Sequence, residues 1–351
     1  MKLSKLFFAA LMSSFVFVSC TDDGGDTVDL GEYNDGILVL NEGGAGQGSV
    51  SYINDDLSSI VQDAYTVVNP SDLLGKYAQN IFFDGNKAFV IAGGSNKITV
   101  VDRNTFKIIG KVEVGLVNPR YGVVVDGKAY VTNANTYSYQ NPTIGDTDDY
   151  IAVINLSTYE VESKIQLNTT ANRIVLDNGK LYVTEPYNSD KLVIVNPKTT
   201  AVENIVIGSY ADSMEVNNGV LYIMRSPYDV TSEIVKVQLS NKTISKILFP
   251  SDFKDVKNLD IDQNKIYYTK GTSVYGMNSN ATEASFTPLL TYESTSDYGK
   301  MYGFAVRNNR IFIGDGGDFS SNSKVYVYSL TGSLLKDFTA GVGPNGFYFN
   351  Y

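Results

Sequence analysis

The sequence predicts an all-β chain folded as a seven-bladed β-propeller behind a targeting segment. Three observations carry that prediction. A turn residue followed by an apolar–aromatic strand recurs along the chain. Each recurrence sits inside a unit of four short strands. The chain then ends in "GPNGFYFNY" (343–351), an alternating aromatic strand with nothing after it to pair with. Units of about 40–45 residues with four antiparallel strands each are the sequence pattern of a propeller. The competing reading, one or two β-sandwiches, does not account for constant four-strand units.

Taken in order, "MKLSKLFFAALMSSFVFVSC" opens with Lys2 and Lys5 and continues with an apolar run from Leu6 to Val18. Those 13 residues are too few to span a bilayer as a helix. The run reads as a secretion signal. "FVSC" sharpens it to a lipoprotein signal, residues 1–19, with Cys20 as the lipidated first residue of the mature chain. Cys20 is the sole cysteine, so there is neither a disulfide frame nor a thiolate metal cluster. Residues 20–35, acidic and glycine-rich, read as a flexible tether. No amphipathic helical period of useful length follows residue 36.

The propeller is expected over 36–351. Its repeated strand is "NKAFVIAGG" (86–94), "GKAYVTNAN" (127–135), "GKLYVTEPY" (179–187), "GVLYIMRSP" (219–227), "NKIYYTKGT" (264–272) and "NRIFIGDGG" (309–317), with "GILVLNEGG" (36–44) as a seventh copy. The anchors Phe89, Tyr130, Tyr182, Tyr222, Tyr267 and Phe312 are spaced 41, 52, 40, 45 and 45 residues apart, with Leu38 in the same slot of the seventh. They are read as packing between blades. Before each comes a strand such as "GVVVD" or "NLDID" and a Gly/Asn/Asp turn, the strongest short hairpin signal. The copy at Gly36 lacks this first strand. "PNGFYFNY" aligns with the first strand at "PRYGVVVD", so the C-terminal strand should be the innermost strand of blade one and close the ring.

Composition narrows function. A net charge of −10, near −12 once 26 basic residues face 38 acidic ones after loss of the signal, argues against nucleic acid. There is no histidine, which removes the usual general base and the commonest metal ligand. Ser–His–Asp and Cys–His engines are thereby excluded. "GDTDD" (145–149) and "GDGGD" (314–318) lack the regular spacing of a calcium loop. Neither a metal nor a cofactor is expected, and a paired-carboxylate glycan enzyme has only Glu42 and Glu185 as candidates.

Strand order sorts the loops onto two faces. First-to-second turns are tight and lie at the bottom. The irregular second-to-third loops, 41–49, 132–150, 184–191, 224–233 and 314–324, gather at the top, where binding is expected. Ligand-binding candidates are the polar and aromatic residues of that mouth: Glu42, Gln79, Asn80, Arg120, Tyr121, Tyr137, Tyr139, Arg173, Glu185, Tyr187, Arg225, Tyr228, Lys257, Tyr302 and Asp315. Any axial Arg or Asn has the alternative role of satisfying backbone groups along the channel.

The repeat, the "LNEGG…GSVSYI" opening and the "KAYVTN" anchor resemble the YncE-like seven-bladed propellers. With the lipobox and acidic leader, the chain is similar to the Bacteroidetes surface-lipoprotein branch of that group. That resemblance implies a non-catalytic, lipid-anchored protein of the outer membrane, exposed at the cell surface. It implies a bulky small-molecule ligand, a corrinoid or a ferric siderophore, held on the top face and handed to a TonB-dependent transporter. An adhesion or assembly scaffold using the 132–150 loop is the alternative.

Overall fold

The computed structural model describes residues 31–351 except Ser138. The signal segment, Cys20 and the tether up to residue 30 lie outside the described residues. Within them, 28 strands form seven antiparallel four-stranded sheets. Six blades run consecutively from inner to outer strand, with inner strands Ala78–Asp84, Pro119–Val125, Arg173–Asp177, Ala211–Asn217, Val256–Asp262 and Gly303–Arg307. These are blades 2 to 7. Blade 1 is composite. Its inner strand is Pro344–Asn350, which pairs antiparallel with Gly36–Asn41 from Gly36↔Asn350 to Asn41↔Pro344. The terminal strand closes the ring as the sequence predicts.

Closure is fastened on both sides of blade 1. The Asn350 amide donates to the carbonyls of Tyr33 at 2.5 Å and Arg103 at 2.9 Å, and Arg103 bonds back to the Asn350 side chain. Arg310 of blade 7 reaches the Asp55 carbonyl at 2.6 Å and its carboxylate at 3.0 Å. Tyr33 is fully buried, edge-on to Tyr52 and Phe106. Residues 31–35, expected in the tether, therefore belong to the folded body: burial of the Tyr33 ring and backbone hydrogen bonds from Tyr33 to Asn104 (2.8 Å) and Asp35 to Asn350 (3.0 Å) together oppose the entropic cost of ordering the segment.

All seven anchors sit on second strands and are at most 5% exposed, each filling the seam between neighbouring blades. The first-to-second turns are tight. In "DNGK" both central residues, Asn178 and Gly179, have positive φ (44° and 71°), the backbone of a two-residue hairpin that matches strand twist. Among the described residues helix is confined to single turns: Ala64–Val68 capped by Asp63, Pro142–Gly145 capped by Asn141, and a 3-10 turn at Gly93–Ser95. The bottom face departs from expectation once. Blade 6 leaves its third strand, Ser273–Asn278, through eleven residues (279–289) before a two-residue outer strand, Leu290–Thr291, and exposes Phe286 there.

Candidate functional site: the top-face mouth

The top of each inner strand is not regular. A β-bulge interrupts pairing with the second strand between Ala78 and Asn80, Pro119 and Gly122, Ala211 and Met214, and Lys257 and Leu259. The composite blade has one opposite Leu40 and Asn41. A left-handed residue precedes each bulged strand: Tyr77, Asn118, Tyr210, Asp255 and Gly343. A bulge adds a residue to one strand and re-aims its side chains. Here the residues within the bulges, Gln79, Arg120, Tyr121, Asp212, Ser213, Asn258 and Asn345, all line one cavity of about 890 Å³ at the top of the propeller. The repeat thus builds the site by the same backbone device in five blades.

The cavity floor is a belt of bonds between neighbouring blades. In ring order, Asn345 donates to the Ala78 carbonyl (2.8 Å), Gln79 to the Tyr121 hydroxyl (2.9 Å) and Arg120 to Asn172 (3.0 Å). Arg173 pairs with Asp212 (3.1 Å), Asn258 donates to the Met301 carbonyl (3.0 Å) and the Tyr302 hydroxyl donates to Glu42. Arg173 also lies over the Tyr121 ring at 4.4 Å. Buried threonines hold the bulges from beneath. The Thr132 hydroxyl accepts from the Tyr121 N–H (3.1 Å) and donates to the Asn172 carbonyl (2.6 Å), and the Thr269 hydroxyl donates to the Lys257 carbonyl (3.0 Å).

The junction between blades 5 and 6 is bridged deeper. Glu215 accepts from the Ile261 N–H at 2.5 Å, and the neighbouring Asp260 accepts from the Val306 N–H at 2.7 Å. Burial, and then the negative charge of Asp260, holds the Glu215 carboxyl far above the usual range; burial raises Asp260 too. Both carboxyls are therefore biased toward the protonated form, Glu215 the more strongly.

Above the floor stands a wall of rings and cations. Tyr77, Tyr137, Tyr139, Tyr187, Tyr210 and Tyr298 line the cavity with Lys257 and Lys300. Tyr139, Tyr187 and Tyr298 are 81%, 76% and 90% exposed. Tyr137 and Tyr139 stack at 5.4 Å. Four cations, Arg120, Arg173, Lys257 and Lys300, face Glu42, Asp212 and Asp255 on the same lining. A strongly acidic chain therefore carries a near-balanced mouth. Burial raises the Glu42 carboxyl, with the Arg120 charge opposing.

Ten of the fifteen sequence candidates share this lining: Glu42, Gln79, Arg120, Tyr121, Tyr137, Tyr139, Arg173, Tyr187, Lys257 and Tyr302. Five do not. Asn80 lies below the floor, donating to the Tyr348 hydroxyl and accepting from the Gly122 N–H. Arg225 covers the Cα face of Gly208, donates to the Ser209 carbonyl and pairs with Glu233, so its charge is spent within blade 5. Asp315 is buried, held by the Tyr292 hydroxyl and the Gly317 N–H, both at 2.9 Å. Tyr228 is 84% exposed and off the cavity wall. Glu185 braces its own loop, accepting from Thr170 and from the N–H groups of Tyr187 and Asn188, and lines a smaller neighbouring pocket.

Sequence reasoning missed Tyr77, Asn96, Asn118, Tyr210, Asp255, Tyr298 and Lys300. All but Asn96 come from the connections between blades, which also end at the top, whereas the sequence candidates lie in second-to-third loops and at the starts of the inner strands. Tyr77, Asn118, Tyr210 and Asp255 share one feature, a place directly before an inner strand where the chain turns left-handed. Among the described residues no cluster of three or more His, Cys, Asp or Glu side chains is placed to share a metal, and no helix is long and apolar enough to cross a membrane.

The fold and site define the class: a seven-bladed propeller with one aromatic, charge-balanced mouth on its loop-rich face. The chain belongs to the family described as "Domain of unknown function (DUF5074)", which matches residues 35–349. A search of curated protein sequences finds no match. Among solved structures, the chain is similar to a quinonprotein alcohol dehydrogenase-like protein from Bacteroides thetaiotaomicron, at 17% identity over 91% of this chain and 79% of that one, TM-score 0.69. It is also similar to hydrazine synthase from Kuenenia stuttgartiensis (14% identity, 75% and 86% covered, TM-score 0.60) and to a dihydro-heme d1 dehydrogenase (12% identity, 91% and 76% covered, TM-score 0.56). At such identities the likeness is one of fold alone.

Proposed function

We propose that the protein is a non-catalytic capture lipoprotein of the YncE-like, Bacteroidetes surface branch. It is anchored in the outer membrane through Cys20 and holds a corrinoid or ferric siderophore in the top mouth for hand-over to a TonB-dependent transporter. The observation that carries this reading is the mouth itself: about 890 Å³, rimmed by exposed tyrosines over a hydrogen-bonded floor. Ligand pockets are concave and largely preformed. Tyrosines supply rigid contact area at small entropic cost, and three rings left mostly exposed invite a large, partly apolar partner.

Two features favour binding over catalysis. The chain has no histidine, and the Glu42 and Asp212 carboxylates on the wall are engaged by Tyr302 and Arg173. Between the two ligand classes, the near balance of charge favours the amide-rimmed corrinoid over a trianionic ferric catecholate, whose capture needs excess cation. The test is calorimetric titration with cyanocobalamin and, separately, ferric enterobactin. Binding is expected to weaken at least tenfold in Tyr187→Ala and Lys257→Ala and to persist in Tyr228→Ala, an equally exposed ring off the wall. Equal affinity in all three, or no binding of either probe, contradicts the proposal.

A further inference from the structure

Beside the mouth lies a second, smaller pocket of about 420 Å³ between the blade 3 loop 134–149 and the blade 4 loop 185–190. Nothing in the reading above uses it. It shares Arg120, Tyr137, Tyr139, Asn172 and Tyr187 with the main cavity, so the two are continuous. Beyond those shared residues its walls include Ala134, Thr136, Gly145 and Ala171, short side chains that leave a slot.

We propose that this side pocket is a subsite for a planar aromatic arm carried by the ligand that fills the mouth. The inference deepens the capture reading and rests on it for the identity of the whole ligand. Its own evidence is local. The rim is the stacked pair Tyr137 and Tyr139 with Tyr187 opposite, and the last two rings are mostly exposed. A flat ring inserted past them gains stacking and covers apolar surface.

The floor carries two buried carboxylates, Asp149 and Glu185, 2% and 7% exposed. They do not make it a cation site, because backbone N–H groups and the Thr170 hydroxyl occupy them. Asp149 accepts from the N–H groups of Asn135 (2.9 Å) and Ala171 (2.7 Å), and Glu185 is held by Tyr187, Asn188 and Thr170. Their work is to fix the two loops that form the slot. The Asp149 carboxyl, pushed up to about 7 by burial, is partly neutral near physiological pH and so tolerates an apolar neighbour.

The test has two arms. Ligand-observed NMR on the whole protein with free 5,6-dimethylbenzimidazole should detect millimolar binding. Binding should be lost in Thr136→Trp and in the milder Ala134→Leu, with folding of each checked by its thermal transition. Calorimetry should then find cyanocobalamin at least tenfold tighter than dicyanocobinamide, which lacks the aromatic arm, and the plugged variants should erase that ratio. A fragment that fails to bind the wild type, or that binds folded plugged variants equally, overturns the subsite. If neither corrinoid binds while the fragment behaves as expected, the corrinoid reading of the mouth fails and the aromatic subsite stands.

Discussion

At the scale of single residues, the cavity floor is held by side chains that answer backbone groups. Thr132 is the clearest case, because one hydroxyl serves the bulge of blade 3 and the first residues of blade 4. Thr132→Val keeps the shape and strands both partners. It should cost about 1–3 kcal/mol in urea unfolding, and should also weaken ligand binding, since Tyr121 loses its anchor. The buried acid pair makes a pH prediction. Glu215 and Asp260 hold a proton in the native state at pH values where the unfolded carboxylates are ionised. The stability they supply is therefore complete below the ordinary carboxylate range and is lost as pH rises through the raised native one. Across that window the fall should approach about 1.4 kcal/mol per pH unit. Glu215→Gln, which preserves the bonds without the titration, should flatten the profile of melting temperature between pH 4.5 and 9. An unchanged slope would refute the raised Glu215 carboxyl. None of these contacts was readable beforehand: sequence placed Arg120 and Arg173 at the mouth, but not the partners that turn them into a floor.

At the scale of elements, two devices matter, the bulged inner strand and the closing strand. The closing strand was legible because its alternation matches a first strand and the copy at Gly36 lacks one of its own. Phe347, 8% exposed and 5.6 Å from Phe312, measures its worth. Phe347→Ala should destabilise by about 3–5 kcal/mol, whereas Phe286→Ala on the exposed 279–289 segment should stay within about 0.5 kcal/mol. The bulges were not legible. A propeller repeat read as alternating strands hides an extra residue, because bulge positions accept many side chains once a left-handed residue precedes them. For the same reason Arg225 was misassigned. Its place at the end of a second strand suggested the mouth, but Gly208 leaves a bare face that the guanidinium covers.

At the scale of the whole molecule, the ring gathers most of its elaboration on one face. Strand periodicity, turn chemistry and anchor spacing made six blades legible as repeats of one physical solution, and the seventh as a composite of the two chain ends. The proposed site left no such trace, because the residues that line the mouth come singly from different blades and no short motif unites them. The membrane attachment is tested apart from the ligand. Cys20→Ser should abolish incorporation of labelled palmitate and release the protein from the membrane fraction, and retention there would contradict the anchor. The central claim, that the top mouth is a ligand site, is tested most directly by hydrogen-exchange mass spectrometry with saturating cyanocobalamin or ferric enterobactin. We expect one of the two to slow exchange in 134–149, 185–190 and 292–302 while leaving 279–289 unchanged. Protection confined to the bottom turns, or no change at the top with either ligand, would contradict it.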